Sequence, residues 1–100
     1  MVIVVGRFEL DPADRDTYLA SRIKRVKISR AEPGCLAYGY FADPVDLGVV
    51  QLLEHWESQA AFDAHVAAYR AAPDQAPVPV PVLSSRVRTL DVAAERPFPS

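Results

Sequence analysis

A chain of 100 residues with a formal net charge of −2 has room for one domain and no basic excess, which sets aside a nucleic-acid partner. Half of the residues are apolar and 24% are charged, ordinary globular values that allow a real core. The single cysteine, Cys35, excludes an internal disulfide, and no apolar run approaches the ~20 residues of a membrane span, so a soluble cytoplasmic protein with no membrane partner is expected.

Residues 2–10 read as a strand with Val2, Val4, Phe8 and Leu10 on one face. Ile3 and Val5 make the other face apolar too, which implies cover on both sides. The run is cut by Gly6 and Arg7 and is too short for a signal peptide. Asp11-Pro12 reads as a helix start, with a side-chain acceptor at the cap and proline at the first helical position. Leu19, Ile23 and Val26 recur at i, i+4 and i+7, which predicts the buried stripe. The surrounding Arg22, Lys24, Arg25, Lys27 and Arg30 are read as a solvated face rather than an anion site.

Glu32-Pro33-Gly34 stops this helix. Cys35 to Phe41 is predicted as a second strand, with Leu36, Tyr38 and Tyr40 on one face. After a turn through Asp43-Pro44 and Leu47-Gly48 comes a third, Val49 to Glu57. There Val50, Leu52, Glu54 and Trp56 share one face, and Gln51, Leu53 and His55 the other. Ser58 can cap a second helix, in which Phe62, His65, Val66 and Tyr69 fall on one side; Pro73 ends it by Ala72. In the connector 73–82, Pro77, Pro79 and Pro81 alternate with Val78, Val80 and Val82, the valines expected against the domain. Residues 83–93 read as a last strand whose apolar phase changes between Val87 and Leu90, a sign of a bulge or an edge. The expected domain is 1–93, with 94–100 as a tail.

This strand–helix–strand–strand–helix–strand order predicts an α+β, ferredoxin-like βαββαβ sandwich: a four-stranded antiparallel sheet with two helices on one face. The simplest cover for the other face is a second copy, which predicts a homodimer. Trp56 and His65 fall on the covered side and are expected to line an interior pocket.

Three segments resemble the antibiotic biosynthesis monooxygenase (ABM) family. They are Ser29-Arg30-Ala31-Glu32-Pro33-Gly34-Cys35-Leu36, Leu53-Glu54-His55-Trp56-Glu57-Ser58, and Ala61-Phe62-Asp63-Ala64-His65; with the first strand they span about residues 2–72. The resemblance implies a dimeric α/β barrel with a pocket between sheet and helices. That family includes quinol and polyketide-anthrone oxygenases, haem-degrading enzymes and a signal-molecule isomerase. Two departures stand out. Haem-degrading members carry an Asn in the first strand where this chain has Gly6, which argues against haem degradation. After the helix-two histidine many members continue Ser-Pro-His-Phe, whereas this chain runs Val66-Ala67-Ala68-Tyr69-Arg70 and lacks the second histidine.

The resemblance implies His65 and Trp56 as the catalytic pair, the imidazole taking a proton and the indole forming a wall for a flat substrate. Tyr38, Tyr40, Phe62 and Tyr69 are candidate substrate contacts, with core packing the ordinary role of such aromatics. Glu54 is a candidate base or substrate contact, or the partner of Arg7 or Arg86. His55, on the opposite strand face, is expected outward or at an interface. Cys35 has no base beside it in sequence and is not expected to be a nucleophile. Two histidines ten residues apart do not make a metal site, and the four scattered glycines form no phosphate loop or dinucleotide fingerprint. With no cofactor expected, the predicted function is an oxygenase acting on a small electron-rich aromatic (quinol, phenol or polyketide anthrone) with O2. The alternative is a non-catalytic dimeric barrel that binds a small hydrophobic ligand.

Overall fold

A computed structural model of the chain describes residues 1–72 and 77–99. Strand β1 (Val2–Glu9) leads through a short 3₁₀ turn (Pro12–Asp14) into helix α1 (Arg15–Arg30). Strands β2 (Cys35–Ala42) and β3 (Val49–Trp56) follow, then helix α2 (Gln59–Ala71) and strand β4 (Ser84–Asp91). The sheet order is β2-β3-β1-β4, antiparallel at every junction. This is the expected α+β, ferredoxin-like βαββαβ arrangement.

The central strands carry the predicted alternation. Val2 and Val4 of β1 face inward with Leu52 and Trp56 of β3 and Tyr38 of β2, forming the larger core cluster. Leu10, Tyr18 and Val50 form a second cluster beside it. Two expectations give way to packing. Ile23, placed on the buried stripe of α1, is 52% exposed, while Tyr18 and Ser29 are the buried residues of that helix. The phenol ring wins the inward position by its contacts, 5.9 Å from Phe8 and 6.1 Å from Tyr40 between centroids. In β2 the register shifts between Cys35 and Ala37, so Cys35 packs on the core and Leu36 is exposed, instead of sharing a buried face with Tyr38.

The edges explain the outer strands. Strand β4 is an edge, paired with β1 in unbroken register, and the phase change is real. Val87 lies opposite Gly6 and Leu90 opposite Ile3, on opposite sheet faces. At the other edge the Arg30 Nε–H donates to the Tyr38 carbonyl at 2.8 Å, filling an acceptor that β2 would otherwise present to another chain. Of the connector, Pro73 lies outside the described residues. Val80 packs on the second cluster as expected, whereas Val78 and Val82 are exposed.

The helix caps fix where the site residues land. Asp11 accepts from the Ala13 N–H at 2.9 Å, capping the 3₁₀ turn. Ser58 Oγ accepts from the Ala61 N–H at 3.1 Å at the start of α2. Between α1 and β2, Gly34 takes φ +82°, and the Glu57 N–H donates to its carbonyl at 2.9 Å. A Cβ on Gly34 would stand 2.5 Å from the Ala61 Cβ and 3.1 Å from the Glu57 Cγ. Gly34→Ala is therefore expected to destabilise the domain by about 2–4 kcal/mol, from left-handed backbone strain plus the clash. Urea unfolding checks this; a loss under about 1 kcal/mol would contradict it.

Candidate active site

The Glu-Pro-Gly turn and the Ser58 cap bring two distant segments together. His65, at the middle of α2, is 6% exposed and points at the sheet. Its ring stacks on Trp56, centroids 4.5 Å apart and planes at 30°. Trp56 itself is fully buried at the end of β3. On the imidazole, Nδ1 lies 2.8 Å from Glu32 Oε1 and Nε2 lies 3.5 Å from Glu54 Oε1. The same Glu54 oxygen accepts the Trp56 Nε1–H at 3.0 Å. Four side chains from three segments thus make one chain of contacts: Glu32, His65, Glu54, Trp56.

The hydrogens follow from chemistry. An ionised carboxylate accepts and does not donate, so Nδ1 carries the hydrogen shared with Glu32. Nε2 then faces an oxygen of Glu54 at 3.5 Å, beyond the length of a good hydrogen bond. Burial pushes the Glu54 carboxyl above the ordinary carboxylate range, opposed by the Trp56 N–H and by His65. A folded value raised above the unfolded one means that the stability tied to Glu54 is complete below the unfolded value. It is lost as pH rises through the folded value. Glu54→Gln keeps an acceptor for Trp56 and cannot ionise. Melting curves taken from acid pH upward are expected to show the loss in the original chain and a flatter profile in E54Q; parallel profiles would contradict this.

The other expected site residues divide. The Tyr38 ring is 5.6 Å from His65 and 6.4 Å from Trp56, within the same buried group. Tyr40 is one ring further out, 6.2 Å from Tyr38. Burial raises both phenols, strongly for Tyr38, so neither ionises near neutrality. Phe62 packs on the core cluster. Tyr69 is half-exposed, 6.5 Å from His65, and the Arg25 guanidinium stands 4.6 Å from its ring centre, tying α1 to α2. A cleft of about 490 Å³ runs along α1 and the β2 edge, past Leu19, Ile23 and Arg30; of the expected site residues it takes in Tyr40.

The geometry bears on three sequence readings. Glu54 does not pair with Arg7 or Arg86. Arg7 pairs with Glu9 at 3.2 Å and Asp46 at 3.9 Å, and Arg7 and Arg86 face each other across β1 and β4 on the opposite side of the sheet. Strand alternation makes that separation unavoidable: Glu54 lies opposite Val4, and Arg7, opposite Arg86, is three residues further along β1, an odd step that puts it on the other face. His55 points outward as expected, its Nε2 2.7 Å from the Met1 sulfur. Burial pushes the Cys35 thiol up, with Glu32 and Glu54 adding to the effect, which disfavours a thiolate nucleophile. Glu32 was read only as part of a helix stop. The signal missed is a carboxylate beside a turn-forming Pro-Gly, whose partner lies 33 residues away. Among the described residues, no group of three or more His, Cys, Asp or Glu is placed to hold a metal ion, and no helix is long and apolar enough to cross a membrane.

Comparison with known proteins bears on the fold and the family. A Deinococcus radiodurans structure assigned to the antibiotic biosynthesis monooxygenases superposes with a TM-score of 0.77 at 17% identity, covering 100% of both chains. A haem degrader of Mycobacterium tuberculosis with two haems bound in its active site matches at a TM-score of 0.72 and 18% identity, covering 97% of this chain and 100% of that one. Both likenesses concern the fold. An uncharacterized protein of Synechocystis is 28% identical over 64 residues, 64% of this chain and 44% of the relative, so the match spans less than half of that protein. The family model described as antibiotic biosynthesis monooxygenase matches residues 1–75, which takes in both site segments, and the chain belongs to that family.

Proposed function

We propose that this protein is a monooxygenase that oxidises a small electron-rich aromatic, a quinol, phenol or polyketide anthrone, with O2 and without a bound redox cofactor. The observation that carries the reading is the imidazole of His65, stacked on a flat indole and flanked by carboxylates at both ring nitrogens. Such a group accepts a proton and the flanking charges compensate the imidazolium that results. Trp56, Tyr38, Tyr40, Phe62 and Tyr69 supply an aromatic surround, and Glu54 shares the proton. For an anthrone, His65 takes a proton from the ring CH2; the carbanion passes one electron to O2, and the radical pair joins as a peroxide. Loss of water leaves a C=O, so one oxygen atom enters the product and the other leaves as water. The protein excludes water, orients the substrate and holds the proton.

Haem does not fit these residues. The first-strand position where haem-degrading members carry an Asn is Gly6 here, and a Cβ there would meet the Leu52 Cβ at 3.1 Å and the Phe8 ring at 3.2 Å. No step is routed through haem.

We place this chemistry in a cytoplasmic homodimer. Ile3 and Val5 of β1, with Leu53, Phe41 and Leu90, form an apolar patch on the sheet face turned away from the helices, beside Arg7, Arg86 and Arg88 on the same face; Phe41, Leu53 and Leu90 are exposed in the single chain. A second copy is the simplest cover. Light scattering at micromolar concentration is expected to give twice the chain mass; a monomer mass would remove the dimer. O2 uptake by purified metal-free protein, with a panel of quinols and anthrones, tests the activity. Uptake above the protein-free rate supports it. Binding without uptake across the panel favours the non-catalytic barrel.

A further inference from the structure

We propose that Glu32 is the positioning residue of the site: by accepting the Nδ1 hydrogen it fixes the rotation and tautomer of His65 and so turns Nε2 toward Glu54 and the proton to be moved. The proposal deepens the monooxygenase reading, on which its kinetic consequence rests; its structural content does not depend on that reading.

Stacking on Trp56 fixes the plane of the imidazole but not its orientation. A half-turn of the ring about the Cβ–Cγ bond keeps the stack while exchanging each nitrogen with a carbon. The choice between these two orientations falls to the polar contacts, and Glu32 makes the shorter of them, 2.8 Å against 3.5 Å for Glu54. The groups facing the ring are Glu32 from the α1–β2 turn, Tyr38 from β2, Glu54 and Trp56 from β3, and Tyr69 from its own helix. Glu54 is also engaged by the Trp56 N–H, whereas Glu32 meets the imidazole at hydrogen-bond distance.

The platform under Glu32 is rigid. Its N–H donates to the Ser29 carbonyl at 3.1 Å and its carbonyl accepts from Cys35 at 3.2 Å. Pro33 restricts the backbone after it, and Gly34 is wedged against Ala61 and Glu57 of the neighbouring segment. A carboxylate on such a turn holds its partner within the tolerance that proton transfer needs. Its charge also matters: a neutral acceptor would fix the tautomer equally well but would not compensate an imidazolium at 2.8 Å.

Two variants separate these roles. Glu32→Gln keeps an acceptor and removes the charge; Glu32→Ala removes both. The test uses full-length chain with 15N-labelled histidine in a His55→Gln background, which leaves His65 as the one histidine, and needs no substrate. Ring-nitrogen spectra of the neutral imidazole are expected to show hydrogen on Nδ1 in the parent and in E32Q, and a shift to Nε2–H or a mixture in E32A. Parent-like ring signals in E32A, or an Nε2–H ring in the parent, would overturn the proposal. If E32A does not fold, the parent and the isosteric E32Q still decide it: a ring hydrogen on Nε2 in either contradicts it. For O2 uptake, kcat is expected to fall about 10²-fold in E32A and by less in E32Q, with KM changed by less than about twofold. Unchanged kcat in E32A would overturn the positioning role. Absence of uptake in the parent would sink the monooxygenase reading, while the ring spectra would still settle what Glu32 does to His65.

Discussion

Replacing His65 by asparagine is expected to lower the rate of O2 uptake by about 10²- to 10⁴-fold, the usual range for losing a positioned general base. Asparagine is the informative replacement because its amide N–H can stand where Nδ1–H stands and keep the contact to Glu32. It has no basic nitrogen to offer in place of Nε2. Alanine would remove the base as well, but it would leave two carboxylates, Glu32 and Glu54, facing an emptied interior. Glu54 is 7% exposed and would keep only the Trp56 N–H, and loss of a partner in such a buried setting costs about 1–3 kcal/mol. A rate loss in His65→Ala alone would therefore mix chemistry with folding. A loss in H65N at near-normal melting temperature isolates the chemistry. Rates within about threefold of the parent in H65N would mean that His65 is not the base.

The largest stability effect is expected at Trp56. Its indole is fully buried, and it packs edge-on to Tyr38 and flat on His65. Trp56→Ala removes that volume and strips Glu54 of its N–H donor, for a loss of about 3–5 kcal/mol. At roughly 4–8 °C per kcal/mol for a domain of this size, the melting temperature falls by tens of degrees. Trp56→Phe keeps most of the packing and loses the hydrogen bond, so a smaller loss of about 1–3 kcal/mol is expected. Thermal and urea unfolding followed by far-UV circular dichroism checks both. A loss under about 1 kcal/mol for W56A would show that the indole is not the keystone its burial implies.

Much of the fold was legible because strand phase and caps are local. Val2 and Val4 alternate with Ile3 and Val5, Ser58 precedes a helix, and proline and glycine follow Glu32; each reads correctly from neighbours a few residues away. The failures share a cause in tertiary contact. Ile23 matches helical spacing as well as Val26 does, and nothing nearby in the chain says that Tyr18 will take the inward place against Phe8 and Tyr40. Leu36 alternates properly with Tyr38 until a register shift moves Cys35 into the core instead. The site shows the same division. Glu54 and Trp56 lie two apart on one strand, so their shared face is evident, and the helical position of His65 marks it as inward. Glu32 is a different case. Its importance comes from a contact that bridges the end of α1 and the middle of α2, and its own neighbourhood reads only as a helix stop. Glu54 stands beside His65 and Trp56, while the arginines considered as its partners lie on the far side of the sheet by strand alternation.

The account rests on the claim that a carboxylate-flanked histidine lets O2 oxidise a bound aromatic with no redox cofactor in the protein. Turnover of an anthrone or quinol under 18O2, by metal-free protein and with the H65N variant alongside, tests it most directly. The account predicts one labelled oxygen atom per product molecule, formed faster than without protein and largely lost in H65N. Product that carries no label from 18O2, or that forms no faster than in the protein-free control, would contradict it.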